Sequence, residues 1–127
     1  MRPEIAYTVH QCARFASAPR KEHAKFLKWL GSYLMETKEN GIIYDPKDQS
    51  FDCYVDFNFA GNWNAEDALD DVNTSRSRMG YIISSANCPI VWASKLQTQV
   101  ALSMTEAEYI ALSMALREVI PIMELIK

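Results

Sequence analysis

Glycine and histidine are scarce in this chain of 127 residues, which has four glycines and two histidines. The glycines are dispersed, so the chain offers no glycine-rich loop to cradle a phosphate group. His10 and His23 both lie in segments with helical patterns, and no nucleophile elbow occurs, so a Ser-His-Asp triad is not credible. These shortages argue against P-loop nucleotide hydrolases and serine hydrolases.

Cysteine and long apolar runs are also scarce. Cys12, Cys53 and Cys88 are scattered, odd in number and without a C-x-x-C pair, which is typical of reduced core thiols rather than of a zinc site or a disulfide framework. No run approaches the ~20 apolar residues of a membrane-spanning helix, and the N-terminus lacks the apolar core of a signal peptide. We therefore expect a soluble intracellular protein with no membrane partner, in a cytoplasmic particle or in the nucleus.

Charge is unevenly distributed along the chain. The formal net charge is −3, with +2 on residues 1–50 and −5 on residues 51–127. The whole chain is therefore not a basic nucleic-acid-binding arm. An acidic segment can still bind nucleic acid when its carboxylates hold divalent cations, because the metal reverses the local sign of charge.

Helical patterns dominate the first third of the chain. Residues 3–17 predict one helix, which Pro3 suits as a first helical position. Residues 20–38 predict a second, with an apolar stripe at helical spacing. The lysines on this second helix are more typical of a solvated face than of a phosphate track; they are Lys21, Lys25 and Lys28.

A β-rich part follows. We place the boundary near residue 46, so that 1–46 form a helical segment and 47–127 the second domain, with a short strand at 42–44 before it. Apolar and polar residues alternate over 51–57 and predict a strand with Asp52, Tyr54 and Asp56 on one face. Beyond it the pattern predicts a polar loop over 60–77, a β-hairpin from strands at 79–85 and 90–94, and a helix from about 104 to the end with a break at Pro121.

Two carboxylates are candidates for chemistry. Aspartate is disfavoured in strands, yet Asp56 lies within one, and its ordinary interpretation is a solvent-facing side chain. Ser103-x-x-Glu106 and Thr105-x-x-Glu108 both fit a capping box, so two helix registers remain open. If Ser103 is the cap, Glu108 lies one turn in, on a largely small and apolar face where a carboxylate needs a partner, a metal or an altered pKa. A helix that brings Glu108 to Asp56 would build half of a metal-dependent nuclease site.

A calcium loop is a weaker interpretation of the same region. Asp56-x-Asn58-x-Ala60-Gly61 begins like an EF-hand loop. However, Ala60 occupies a ligand position, Asp67 replaces the bidentate glutamate, and a strand replaces the preceding helix.

Several ordered blocks carry a resemblance to a known family. Residues 54–61 (Y-V-D-F-N-F-A-G) resemble Y-x-D-A-D-W-A-G, residues 76–81 (R-S-R-M-G-Y) resemble R-S-T-S-G-Y, residues 90–97 (I-V-W-A-S-K-L-Q) resemble I-S-W-x-S-K-K-Q, and residues 100–112 (V-A-L-S-M-T-E-A-E-Y-I-A-L) resemble V-A-L-S-S-T-E-A-E-Y-I-A-L. Residues 2–5, 13–15, 23 and 41–44 fit as well. The chain thus resembles copia-type retrotransposon Pol polyproteins at the junction of reverse transcriptase and ribonuclease H.

The resemblance implies an α/β fold: a truncated ribonuclease H-like domain, with a three-stranded antiparallel meander and the first helix, preceded by a two-helix connection segment. It implies that Asp56 and Glu108 are catalytic metal ligands, two of four carboxylates that hold two Mg²⁺ ions in the family. Asn58 and Asn62 replace family aspartates that are not core metal ligands. The family pattern continues past Lys127 with the other two carboxylates, so we expect this chain to hold one ion weakly and to be inactive alone.

The implied partners are an RNA–DNA hybrid and the remainder of the Pol polyprotein. Lys21, Lys25 and Lys28 would then contact backbone phosphates. Without a parallel fourth strand, residues 51–57 would be an exposed edge prone to self-association. The alternative is a non-catalytic nucleic-acid-binding or connection module, a decayed transposon remnant.

Overall fold

The structure, a computed structural model, describes residues 2–66 and 68–126. It divides the chain into two compact units, Met1–Tyr44 and Asp45–Lys127. No helix in these described residues is long and apolar enough to cross a bilayer.

The first unit is a pair of helices. A 3-10 turn at Pro3–Ile5 leads into helix α1, Ala6–Arg14, and helix α2 spans Lys21–Glu36. The prediction of one helix over 3–17 is wrong at its C-terminal end. The Phe15 ring stacks on His23 with centroids 4.2 Å apart, and His23 Nδ1 accepts a hydrogen bond from the Arg20 N–H that caps α2. The N–H groups of Phe15 and Ala16 donate to carbonyls three residues back, so the last turn tightens and α1 ends at Arg14.

The strand predicted at 42–44 does not form. These residues have no regular secondary structure, and Ile43 is 87% exposed. A short apolar run becomes a strand only with a partner strand, and the sheet of the second unit contains β-strands only from residue 51 onward. The apolar run therefore stays without regular secondary structure.

The second unit contains an antiparallel meander. Strands β1 (Phe51–Asn58), β2 (Arg78–Ser85) and β3 (Cys88–Leu96) lie in the order β1-β2-β3. Ala86 and Asn87 form the two-residue turn between β2 and β3, with φ of 52° and 63°, the left-handed pair that matches the twist of a hairpin. The tight turn extends β3 two residues further back than the predicted start at 90.

The long segment between β1 and β2 is mostly irregular, as its polar composition predicts. It contains a 3-10 helix at Val72–Ser75, which begins where the Asp71 carboxylate accepts a hydrogen bond from the Asn73 N–H at 2.9 Å.

Helix α3 spans Met104–Ile126 and covers one face of the sheet. Its buried row is Ala107, Ala111, Ala115 and Val119. These small side chains let the helix approach the buried strand residues, which are Met79, Tyr81 and Ile83. The predicted break at Pro121 is wrong, because Val119 and Ile122 on either side of the proline both pack in the core. The result is an α/β unit compatible with the first part of a ribonuclease H-like fold.

The cysteines depart from the expectation of core thiols. All three are free, but only Cys88 is buried, Cys12 is half-buried and Cys53 is exposed. The alternation that placed Cys53 on the apolar face is correct for Val55 and Phe57, which pack against the core. Cys53 lies on β1, an edge strand of the sheet.

Candidate functional site

Asp56 lies near the C-terminal end of β1, with its Cα opposite Gly80 of β2. Its neighbours Val55 and Phe57 pack against the core that α3 covers. Because successive strand side chains point to opposite faces, Asp56 is directed to the other face of the sheet, and it is exposed.

The start of α3 selects between the two capping registers. The Ser103 hydroxyl accepts a hydrogen bond from the Glu106 N–H at 3.1 Å, and its carbonyl accepts one from the Ala107 N–H at 3.1 Å. The Glu106 carboxylate in turn accepts from the Leu102 N–H at 2.7 Å, one residue before the usual capping-box donor. Ser103 is therefore the cap, and Glu106 is occupied at the helix terminus.

Glu108 remains in the second turn of α3. The sequence argument placed it on a largely apolar face, but the structure leaves its side chain exposed, next to the buried Ala107. Water can hydrogen-bond to this exposed carboxylate. The surroundings of Glu108 therefore do not require a metal ion as its partner.

Asp56 and Glu108 lie at the same end of the unit. Asn58 of β1 is opposite Arg78 of β2, and Arg78 is opposite Leu96, the last residue of β3. Gln97 follows directly and contacts the second turn of α3. Both elements thus reach the same end of the sheet, but Asp56 is directed to the face that α3 does not cover. In the described part of the chain, however, no group of three or more His, Cys, Asp or Glu side chains could hold a metal ion.

Gln97 is the positioning residue that sequence reasoning missed. It is fully buried, and its Nε2 donates to the Ala107 carbonyl at 2.7 Å. Its backbone N–H donates to the Ser77 carbonyl at 2.8 Å. One residue therefore ties the end of β3 to the start of β2 and to α3, next to Glu108. Gln97 is the last residue of the block 90–97 that carries the family resemblance. A single glutamine after a strand has no periodicity from which its burial could be predicted.

Ser77 is a second buried polar residue at this end. It is fully buried, and its hydroxyl accepts a hydrogen bond from the Ala60 N–H at 3.3 Å. Ala60 has a φ of 44°, which turns the chain away directly after β1. At the next residue, Gly61, a Cβ would come within 2.2 Å of the Asn58 amide. The exposed Asn58 side chain can rotate away from such a Cβ, so the feature that holds the turn after Asp56 is the buried Ser77 hydroxyl.

One titratable group lies within the core beneath α3. Burial raises the pKa of the Tyr81 hydroxyl above its usual range, and the Glu118 carboxylate adds to the increase. Tyr81 therefore stays neutral at physiological pH and contributes packing rather than charge.

The three candidate lysines lie in the first unit. Lys21, Lys25 and Lys28 are exposed on α2, and their spacing places them along one side of the helix. Trp29, adjacent to Lys28 in the chain, is 79% exposed. Positive charge and an aromatic surface thus coexist on α2.

Comparisons with known proteins give a consistent result. The chain is 37% identical over 119 residues to the retrovirus-related Pol polyprotein from transposon TNT 1-94 of Nicotiana tabacum, a match that covers 94% of this chain and 8% of the relative. It is 38% identical over 109 residues to the Pol polyprotein from transposon RE1 of Arabidopsis thaliana, covering 85% of this chain and 7% of the relative.

A third relative has a different name. The secreted RxLR effector protein 161 of Plasmopara viticola is 35% identical over 120 residues, and the match covers 94% of this chain and 78% of that protein. No family model matches the chain, and no solved structure matches it significantly.

The relatives define the class of protein, a piece of a transposon-encoded polyprotein. The chain belongs to the retrovirus-related Pol polyproteins of copia-type transposons. It spans about 8% of the length of the first of these relatives.

Proposed function

We propose that this chain is the part of a retrotransposon polyprotein that contributes Asp56 and Glu108 to a ribonuclease H site. The complete site would hydrolyse the RNA strand of an RNA–DNA hybrid. The observation that carries the proposal is the cap of α3. Because Ser103 and Glu106 satisfy the helix terminus, Glu108 is the carboxylate that the cap leaves unused, at the end of the sheet where Asp56 lies.

The two side chains suit Mg²⁺, which takes carboxylate oxygens and is usually held by one or two of them together with water and substrate phosphates. In two-metal nucleases the ions activate the attacking water and stabilise the leaving oxygen. Here Asp56 and Glu108 would hold the cation on the protein. Brought within about 4 Å of each other without a cation, they would repel by about 4 kcal/mol at an effective dielectric near 20.

Two carboxylates are fewer than a two-ion site needs, so we propose that this chain holds one ion weakly and does not cleave a hybrid by itself. Hybrid cleavage would be assayed in Mg²⁺ and in Mn²⁺ with purified protein. The expected result is no activity above that of Asp56→Asn. Cleavage that Asp56→Asn abolishes would contradict the proposed inactivity.

Cation binding is tested separately, by NMR titration with Mg²⁺. The resonances of Asp56 and Glu108 should shift together, and Asp56→Asn or Glu108→Gln should remove the response at the other residue. Asp52→Asn is the matched control, because Asp52 lies on the same strand and face as Asp56 but away from the end of the sheet. Equal loss in the control, or independent responses of Asp56 and Glu108, would reject the shared site.

The lysines of α2 are proposed to contact the hybrid backbone. RNA-containing duplexes are recognised largely by shape, phosphates and 2′-OH groups, and phosphate contacts make affinity fall with salt. Replacement of Lys25 and Lys28 by Gln should weaken hybrid binding and reduce its salt dependence. An unchanged salt dependence would remove these residues from the interface.

The second candidate is a non-catalytic module descended from a transposon. The match that covers 78% of the Plasmopara protein favours it, since a protein little larger than this chain carries the same region. The discriminating observation is the genomic sequence downstream. An in-frame continuation with two further aspartates supports the nuclease, and a stop codon supports the module.

A further inference from the structure

His23 makes two contacts at the point where α2 begins. Its Nδ1 accepts a hydrogen bond from the Arg20 N–H at 2.9 Å. Its ring stacks on the Phe15 ring, with centroids 4.2 Å apart and an angle of 14° between the planes. Phe15 is the residue that follows α1, and Arg20 is the residue that precedes α2. One half-buried side chain therefore caps α2 and also contacts the end of the preceding helix.

The start of α2 depends on this acceptor because its N-cap residue offers none. A helix is usually capped by Ser, Thr, Asp or Asn, whose side-chain oxygen accepts from a backbone N–H. Arg20 occupies that position, and a guanidinium group has donors only. The reciprocal half of a capping box, in which the third helical residue accepts from the N-cap N–H, is normally provided by Glu or Gln. Here His23 provides it.

The hydrogen bond determines where the ring carries its proton. A backbone N–H can only donate, so Nδ1 must have a free lone pair and the proton of the neutral imidazole must be on Nε2. A second proton would add to Nδ1 and would remove the acceptor. Imidazole is the side chain whose charge ordinarily changes between about pH 5 and 8. Only the neutral form of His23 can therefore cap α2.

The charges near His23 oppose a cation at this position. The Arg14 guanidinium carbon lies 5.1 Å from the centroid of the Phe15 ring on which His23 stacks, and the N-terminus of a helix carries the positive end of its dipole. The charged neighbours from the two helices and their connection are Arg14, Arg20, Lys21 and Glu22. The stack can persist in both charge states, since an aromatic face also attracts a cation, whereas the hydrogen bond cannot.

We propose that His23 is a pH-sensitive cap of α2. The neutral ring holds the first turn of the helix, and the protonated ring releases it. The bonds that close this turn run from the N–H groups of His23 and Ala24 to the Arg20 carbonyl, at 3.1 and 3.4 Å, so the turn frays when the Arg20 residue is no longer held. The proposal stands apart from the nuclease function, because it involves neither Asp56 nor Glu108.

The first test determines the tautomer in the wild-type full chain. Imidazole nitrogen chemical shifts, followed by NMR through the titration of His23, report which nitrogen carries the proton. Above the titration, the neutral ring should have its proton on Nε2 and a lone pair on Nδ1. A neutral ring with its proton on Nδ1 could not accept from Arg20 and would overturn the proposal.

The second test measures the release of the helix turn. Amide hydrogen exchange at Arg20, His23 and Ala24 would be recorded across the same pH range and corrected for the intrinsic pH dependence of exchange. A helix cap changes a local equilibrium by a factor of about 2–30. Protection of these amides should therefore fall by about 2- to 30-fold as His23 is protonated, with the midpoint of the His23 titration. Constant protection through that titration would overturn the proposal.

Two variants assign the effect to one ring, because the chain has only two histidines. His23→Gln supplies an acceptor that is common at this capping position and does not titrate, so the pH step in protection should disappear. The matched control is His10→Gln within α1, which should keep the step. Circular dichroism would confirm that both variants are folded. A step that survives in His23→Gln, or that disappears in His10→Gln, would contradict the assignment to His23.

Discussion

Replacement of Gln97 tests how α3 is held on the sheet. The side chain is fully buried, and its amide donates to the Ala107 carbonyl at 2.7 Å. Its Oε1 has no hydrogen-bond partner among the described residues. Gln97→Met keeps most of the volume and removes the amide, so it should lose the net value of one hydrogen bond, about 1 kcal/mol of unfolding free energy, partly offset by relief of the unsatisfied oxygen.

Gln97→Ala removes the same bond and also leaves a cavity. Buried large-to-small substitutions add a packing loss to the transfer loss, so the alanine variant should lose about 2–4 kcal/mol in all. The difference between the Ala and Met variants then measures packing, while the Met variant measures the hydrogen bond.

Urea unfolding followed by tryptophan fluorescence is a suitable assay, since Trp92, one of the three tryptophans, lies in β3. Because the chain has two compact units, the transition should also be followed by amide hydrogen exchange at Ala111 on α3. Equal and negligible effects of both variants would refute the view that Gln97 ties α3 to the sheet. Exchange at Ala111 that stays at the wild-type rate in Gln97→Ala would do so as well.

Three further predictions concern stability. Ala86→Gly should stabilise the chain by about 0.5–1 kcal/mol in thermal unfolding, because Ala86 has a φ of 52° that glycine adopts without a Cβ penalty; an unchanged midpoint would show that the turn carries no such penalty. Pro121→Ala should raise the unfolding free energy by about 1–3 kcal/mol, because it restores a backbone donor within α3; destabilisation would mean that the proline ring itself is packed. Hydrogen bonds from Ser50 and then Asn87 lower the pKa of Asp48 below its ordinary 3.8, so the folded state holds the proton more weakly than the unfolded chain. This stabilisation is present above pH 3.8 and is lost as pH falls through the folded pKa; urea midpoints of wild type and Asp48→Asn should converge in that acid range, and parallel pH profiles would contradict it.

The sequence was most informative where structure is local. Alternation over residues 51–57 predicts β1, and Ser103 with Glu106 predicts the start of α3, because strand periodicity and helix capping depend on residues a few positions apart. The ordered blocks that resemble copia-type polyproteins indicate the family that the relatives confirm. The same capping argument leaves Glu108 as the candidate carboxylate, although its exposure contradicts the apolar surroundings expected for it.

Other features depend on contacts between distant residues. Phe15 at the end of α1 stacks on His23 of α2, and core packing of Val119 and Ile122 carries α3 through Pro121. The absence of a partner strand leaves 42–44 irregular. A local pattern of a few residues does not contain both partners of such a contact.

What the sequence determined by itself was the family and the order of the strands and α3, and it predicts Asp56 and Glu108 as the two candidate carboxylates. Only the tertiary structure decided which polar residue holds α3 in place, whether α3 continues through Pro121, and that residues 42–44 form no strand. The physical reason is that propensity and periodicity act within a few residues. Burial and buried hydrogen bonds such as that of Gln97 exist only after distant segments have packed together.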